Sequence, residues 1–593
     1  MHAAPEHDPF APDATAQRAI LLFAILSGVL LLLAHEALAE KAVWFDSALL
    51  RTGWFTLAVA APLFAALTVQ RLADRRFIGG TLAYTALLAY LAWYAGRAMQ
   101  PGAVAAEAVA LPYVWVLIAS GHVLTAWFSV WLTRSDFSYP RLFDSAWRQV
   151  STLAQVVAYT GAFWLLLFLW GALFKALGIV FFADLFETAR FAYPVTSLVA
   201  GYGLVLARTK SSIGDAVHLR ILALWRGLLP LASVLALAFA AALLVQGVEP
   251  LWKTRHATQL LLSLVVALVV LANAAYGKGG EAPLHPLLRR LVQGALLLLP
   301  VFALLAAWAL LLRWRQYGLS LDRLWAALSI GIASLYAVGY CIAAASRATP
   351  WLAHIALVNR IASVITASLL LLTQTGALDF RAITAHALRE RGDALKTEDL
   401  RYLRWELGSP GVTALAALQA QRVSSNAESA AAIGRLLAQK DRHSSPNEAG
   451  AQPSESVQYR QTANAAPPPP EVLAALAANP ADSFRFRDAL DAPVGNAQWL
   501  FELELDGQPP GEWLRVVVPS SHPGSSGAAS IDVFQQRADQ WRLARSEQQW
   551  LDEMQLTALQ KALLAGEVTA IAPLYKDVML GTQRIRFGSN GPP

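Results

Sequence analysis

Eleven apolar runs, each close to twenty residues long, occupy the first 375 residues of this 593-residue chain. They fall at about 19–38, 53–70, 78–96, 109–132, 150–174, 191–207, 221–246, 259–276, 289–312, 324–345 and 354–374. A helix needs roughly 20 apolar residues to cross about 30 Å of hydrocarbon. In that medium every backbone N–H and C=O must be satisfied within the segment, which selects helices for runs of this length. The runs therefore predict an all-α polytopic membrane helix bundle of about eleven transmembrane helices. Composition agrees: 56% of residues are hydrophobic and 15% are charged, against about 25% charged in soluble domains. An ordinary soluble enzyme, a disordered chain and a coiled coil are excluded.

Charge divides the chain in two. Through Thr375 there are 26 Lys+Arg against 16 Asp+Glu, and from Gly376 onward 21 against 25. The basic balance thus belongs to the apolar part, where basic loops between spans account for it and a nucleic-acid partner is not implied. Arg71, Arg75 and Arg76 follow span two. Arg134, Arg141 and Arg148 lie between spans four and five. Arg208, Lys210 and Arg220 follow span six, and Lys278, Arg289 and Arg290 follow span eight. Alternation puts all four loops on one side, the cytoplasmic side by the positive-inside rule. Arg313, Arg315 and Arg323 lie on the other side and violate it. An odd span count places the N-terminus in the cytoplasm and the C-terminal domain in the periplasm of a bacterial inner membrane. One span more or fewer reverses the second placement.

The first run ends in Ala37-Leu38-Ala39, which resembles a signal-peptidase site. The residues before it are acidic, with Arg18 as the one strong base, which suits an uncleaved span better than a secretory signal. Trp54, Trp93, Trp131, Trp170, Trp225, Trp252, Trp314, Trp325 and Trp351 lie at or near span ends, where indole favours the headgroup level. Ser197 with Gly201, and Gly339 with Ala343, have the four-residue spacing of close helix contact. Cys341, the single cysteine, lies in an apolar run and allows neither an intramolecular disulfide nor a cysteine-based zinc site.

Three separated pieces carry a family resemblance. The stretch from Tyr139 to Lys210 contains YPRLFDSAWRQV, GAFWLLLFLWGALFKALGIVFFADLF and FAYPVTSLVAGYGLVLARTK. RQYGLSLDRLWA spans 315–326, and LDFRAITAHALRERGDALKTEDLRYLRWELGSPGVTALAAL spans 378–418. In order and together they resemble the uncharacterised bacterial membrane family known as domain of unknown function 4153, over roughly residues 15–420. The resemblance implies a multi-spanning inner-membrane protein and supplies no activity and no catalytic residues.

Beyond the bundle (1–375), residues 376–440 predict a charged, membrane-proximal helical segment. Residues 441–470 are rich in Ser, Asn, Gln and Pro and read as a disordered linker. Residues 471–593 predict a small soluble α+β domain, with strands at 499–505, 513–519, 530–536 and 541–546, a helix at 549–565, and short strands at EVTAIAP and RIRF. Asp506-Gly507 predicts a hairpin turn. With only Glu504 and Glu512 near it, Asp506 is a poor nucleus for the several oxygen ligands calcium requires.

Motifs for chemistry are sparse. His35-Glu36 begins like the zinc-protease motif but lacks its second His. Gly277-Lys278-Gly279-Gly280 follows an apolar run and not a strand, so it is no phosphate loop. No cofactor, metal or catalytic set is indicated. Polar groups inside spans remain as candidate sites. His122 lies near the middle of span four, with Thr125 and Ser129 on one face. Asn359, Ser363, Thr366 and Thr373 form a stripe on span eleven with Arg360 beside it, and Arg226 lies a turn before Pro230 in span seven. Interhelical hydrogen bonding is the favoured account of such groups, a proton or solute role the alternative, and snorkelling explains Arg226.

Three functions stay open at this point. The favoured one is a non-enzymatic integral membrane protein, in contact with the lipid bilayer, whose external tail contacts or senses another envelope component. The second is a solute or proton-coupled transporter with a path lined by the His122 and Asn359 faces. The third, a membrane enzyme acting on lipid-linked substrates, lacks a paired-acid or metal motif.

Overall fold

A computed structural model of the chain describes residues 10–99, 106–209, 211–254, 256–279, 284–346, 351–423, 426–439, 467–478, 497–503, 511–518, 527–537, 540–551, 553–565, 578–580 and 583–585. Two compact units result, Met1–Lys440 and Asp441–Pro593.

The first unit is helical throughout: α1 (Ala14–Ala39), α2 (Ala48–Thr68), α3 (Arg75–Ala98), α4 (Ala106–Leu132), α5 (Tyr139–Ala176), α6 (Phe181–Glu187), α7 (Ala189–Thr209), α8 (Ser211–Gln246), α9 (Glu249–Lys253), α10 (Ala257–Tyr276), α11 (Pro286–Leu297), α12 (Leu299–Tyr317), α13 (Leu321–Ala345) and α14 (Ile355–Leu372). Asp13 caps α1, and hydrogen bonds from Thr15 and the Ala16 N–H hold its carboxyl below the usual carboxylate range. Pro300, at the first turn of α12, lacks an N–H to donate. It divides one apolar stretch, Pro286–Tyr317, into two helices.

Among the described residues, ten helices are long and apolar enough to cross a membrane, one fewer than expected. The difference is the run at 191–207. It is a 21-residue helix, α7, diluted by Arg190, Tyr193, Pro194, Thr196, Ser197 and Tyr202. It nevertheless lies antiparallel along α1: Arg190 pairs with Glu36 at 2.7 Å at one end, and a side chain on Gly28 would strike Ser197 and one on Gly201 would strike Ala24 farther along. The small residues expected to permit close contact do so here. Gly339 likewise lies against Val358 of α14. Because α7 lies alongside a spanning helix over its length, it occupies the same layer.

The helix ends sort into two sets. At one end of the bundle, Asp13 N–H donates to Gln70 O, Arg208 donates to Ala66 O and Phe10 O, Arg76 donates to Trp131 O, and Lys278 pairs with Asp144 at 2.7 Å. The basic loops therefore meet one another. At the other end, Tyr94 donates to Asp379 at 2.8 Å, and the Leu321 N–H donates to Tyr402 at 3.0 Å. Those contacts tie in the membrane-proximal helices α15 (Phe380–Arg389), α16 (Thr397–Trp405), α17 (Gly408–Arg422) and α18 (Ala427–Ala438). Leu388, Leu403, Leu407, Leu415, Leu418 and Ile433 form their shared core. Gly318 sits at the α12–α13 turn with φ +74°, and a Cβ there would collide with the Arg391 guanidinium, so a side chain is excluded twice over. Several tryptophans near span ends carry arginines: Arg76 over Trp131, Arg97 over Trp93 and Arg289 over Trp351.

In the second unit α19 (Pro470–Ala478) precedes an antiparallel meander, β1 (Ala497–Leu503), β2 (Glu512–Val518), β3 (Gly527–Arg537) and β4 (Gln540–Leu551), in the order β1-β2-β3-β4. α20 (Glu553–Ala565) and a separate hairpin, β5 (Val578–Leu580) with β6 (Gln583–Ile585), follow. Strand alternation feeds two cores. Leu500, Trp513 and Phe534 pack with Val472 and Leu476 of α19, and Trp499, Phe501, Val516 and Val518 pack with Leu563 of α20. The helix expected at 549–565 begins later. Gln549, Trp550 and Leu551 continue β4, paired with Ala529, Ala528 and Gly527, because the long β3 offers them a partner. The Glu504–Asp506–Gly507 turn, the strand expected at 567–573 and residues 441–466 of the linker expected at 441–470 lie outside the described residues, whereas Pro470, the last residue of that linker, opens α19.

Candidate functional site

The membrane-embedded helices enclose a cavity of about 570 Å³ between α4, α5, α10, α13 and α14. That falls within the range of small-molecule sites, which are mostly apolar clefts with a few placed polar groups. Val123, Leu142, Val265, Val269 and Ile332 supply apolar wall. The cavity is not sealed. Val266 and Val270 on its wall are 47% and 41% exposed, and Ser329 is exposed as well.

Four helices contribute a continuous polar cluster to one part of the wall. The Tyr139 hydroxyl at the start of α5 donates to Asn273 Oδ1 of α10 at 2.6 Å. Asn359 of α14 donates through Nδ2 to the same oxygen at 2.8 Å and to the Tyr139 hydroxyl at 3.2 Å. Tyr340 of α13 donates to Asn359 Oδ1 at 2.9 Å. An amide has two donors and an acceptor, so Asn359 can bridge three helices at once. Beside it, Trp127 Nε1 donates to the Ser363 hydroxyl at 3.2 Å, and that hydroxyl donates to Arg360 O at 2.9 Å. Arg360 also lines the cavity, and its Nη1 donates to Phe137 O at 3.3 Å.

The candidate residues named from sequence separate into four groups. His122, Asn359 and Ser363 line this one cavity, although they lie on two distant spans. The His122 ring also faces Gln149, which belongs to a second, smaller polar pocket. That pocket holds Gln70, Ser129, Ser145, Arg148 and Arg208 near the basic end of the bundle, so His122 stands on the partition between the two spaces. Thr125 and Ser129 turn their hydroxyls back onto their own helix, to Gly121 O at 2.7 Å and Thr125 O at 2.8 Å. Thr366, about two turns along α14 from Asn359, faces Tyr336. Arg226 lies away from the cavity, with its guanidinium near Gly277 at the end of α10.

Sequence reasoning missed Tyr139, Asn273, Tyr336 and Tyr340. Asn273 carried a usable signal, an amide inside an apolar span. Tyr139 and Tyr340 did not, because a tyrosine near a span end is indistinguishable from an interfacial anchor, whereas Tyr336 lies well inside α13. Cys341 lies on α13, its Sγ 3.8 Å from Leu297 O. Among the described residues no group of three or more His, Cys, Asp or Glu side chains could hold a metal ion.

No family profile, curated protein or solved structure matches the chain.

Proposed function

We propose that this integral membrane protein binds an organic solute in the bundle cavity and acts as a carrier of the transporter class. The observation that carries the reading is the convergence of His122, Asn359 and Ser363, from two distant spans, on one open cavity of about 570 Å³. A polar network serving only to join helices needs no adjoining space. The basic end is assigned to the cytoplasm by the positive-inside rule, and the helices at 376–439 to the opposite side. The motifs at 139–210, 315–326 and 378–418 support the reading of the chain as a member of the family of domain of unknown function 4153.

Small-to-large substitution tests the cavity. Ala333 is buried on its wall, whereas Val338 on the same helix is 50% exposed and does not line it. Purified full-length protein is expected to retain a small molecule detectable by mass spectrometry. Ala333→Trp should lose it and Val338→Trp should keep it. Retention by both variants would reject the cavity as the binding site.

A second reading has its own support. Asp441–Pro593 forms a compact unit with two small cores, which suits a tail that contacts an envelope component. Crosslinking with and without residues 441–593 tests this; an unchanged set of crosslinked partners would count against it.

A further inference from the structure

Resting on the reading of the cavity as a solute site, we infer that its ligand is an amphipathic anion, an apolar body carrying one anionic head. Among the described residues, the lining includes no Asp or Glu, and its one permanent charge is Arg360. Its Nε is buried without a hydrogen-bond partner, and no carboxylate pairs with it among the described residues. Asp136, next to its contact Phe137, is paired instead with Arg141 at 3.4 Å. The guanidinium is partly buried, with its Nε turned away from water and no counter-charge beside it, and an anionic head could bond that unused donor. A cationic head would meet the same field as repulsion.

Placement supports the amphipathic body. Asn273 is about one turn from the end of α10, and Asn359 and Arg360 are little more than one turn from the start of α14. The polar groups thus lie toward the basic end of the bundle, while Val265, Val266 and Leu262 are farther along α10 and apolar. A molecule with its head at Arg360 and its body along these valines has the orientation of a lipid in the adjacent leaflet. The exposed wall at Val266 and Val270 admits it from the side.

The test uses purified full-length protein in a neutral maltoside detergent and three twelve-carbon probes below their micellar concentrations: dodecanoate, dodecyl phosphate and dodecyltrimethylammonium. Both anions should raise Tm and the cation should not. Arg360→Gln should lose the preference for anions, and Arg360→Lys, which keeps the charge, should retain part of it. Ala333→Trp should lose every shift. Equal stabilisation by anion and cation, or an anion preference that survives in Arg360→Gln, overturns the ligand class while leaving a cavity site standing. Shifts that persist unchanged in Ala333→Trp overturn the cavity site itself. Nanodiscs distinguish the source of the ligand. Arg360-dependent stabilisation by phosphatidylglycerol over phosphatidylcholine assigns a membrane lipid, and stabilisation by the single-chain anions alone assigns a free solute.

Discussion

At the scale of the residue, Asn359 concentrates the account. It joins Tyr139, Asn273 and Tyr340 through three hydrogen bonds on the cavity wall. Replacing it with Leu leaves Asn273 and Tyr340 short of partners, and an unsatisfied buried polar group costs about 1–3 kcal/mol. Asn359→Leu is therefore expected to lower Tm clearly. Leu357→Ala, at a 48% exposed position on the same helix, should change it little. Thermal unfolding of the purified variants in detergent checks both, and equal effects would show that the network does not hold these helices together. The sequence made Asn359, Ser363 and His122 visible because polar side chains are conspicuous against an apolar run. It gave no means of pairing them. Residues 122 and 359 are brought together by the packing of α4 on α14, and helix order along a chain does not determine which spans are neighbours. Thr125 and Ser129 share a helical face as periodicity predicted, yet each satisfies its hydroxyl on its own helix, an outlet that face-sharing alone cannot reveal.

At the scale of the element, helices were legible where composition is extreme and less so where it is mixed. The strongly apolar spans can be read off residue by residue. α7 could not be counted on the same footing, because its polar residues are met by neighbouring helices, Arg190 by Glu36 of α1 and Thr196 by Trp164 of α5. In the tail, β4 outran its expected length because a strand continues while a partner strand remains beside it. The same sheet contains a feature with no local signature. Arg515 of β2 and Asp532 of β3 are cross-strand neighbours, 2.7 Å apart and 3% and 5% exposed, with Phe534 under the guanidinium. Removing one partner of a buried pair strands a charge and costs about 3–5 kcal/mol, whereas replacing both with apolar residues of similar volume is often neutral. Arg515→Met alone should abolish cooperative unfolding of the tail, or bring its midpoint far down, and Arg515→Met with Asp532→Leu should recover much of the loss. A double variant no better than the single would mean that the pair is not the source of the effect.

At the scale of the whole molecule, the apolar runs fixed the class of architecture, and the loop charges anticipated which helix ends gather together. Sequence could not show that the spans leave a cavity, since its volume depends on helix tilts and neighbours and not on any one segment. Membrane sidedness is open to direct measurement. In a Cys341→Ser background, Ser135→Cys near the basic end and Ser409→Cys in the membrane-proximal helices should react with an impermeant thiol reagent from opposite sides of sealed membranes. Reaction of both from one side would contradict the assigned orientation. The central claim is that the cavity is an occupied site and not a packing gap, and a density map of the full chain, purified from its native membrane by cryo-electron microscopy, tests it most directly. The account predicts non-protein density bounded by His122, Tyr336, Asn359 and Arg360, with one end against the Arg360 guanidinium. Helices α5 and α10 closed onto each other, with side chains filling that volume, would contradict it.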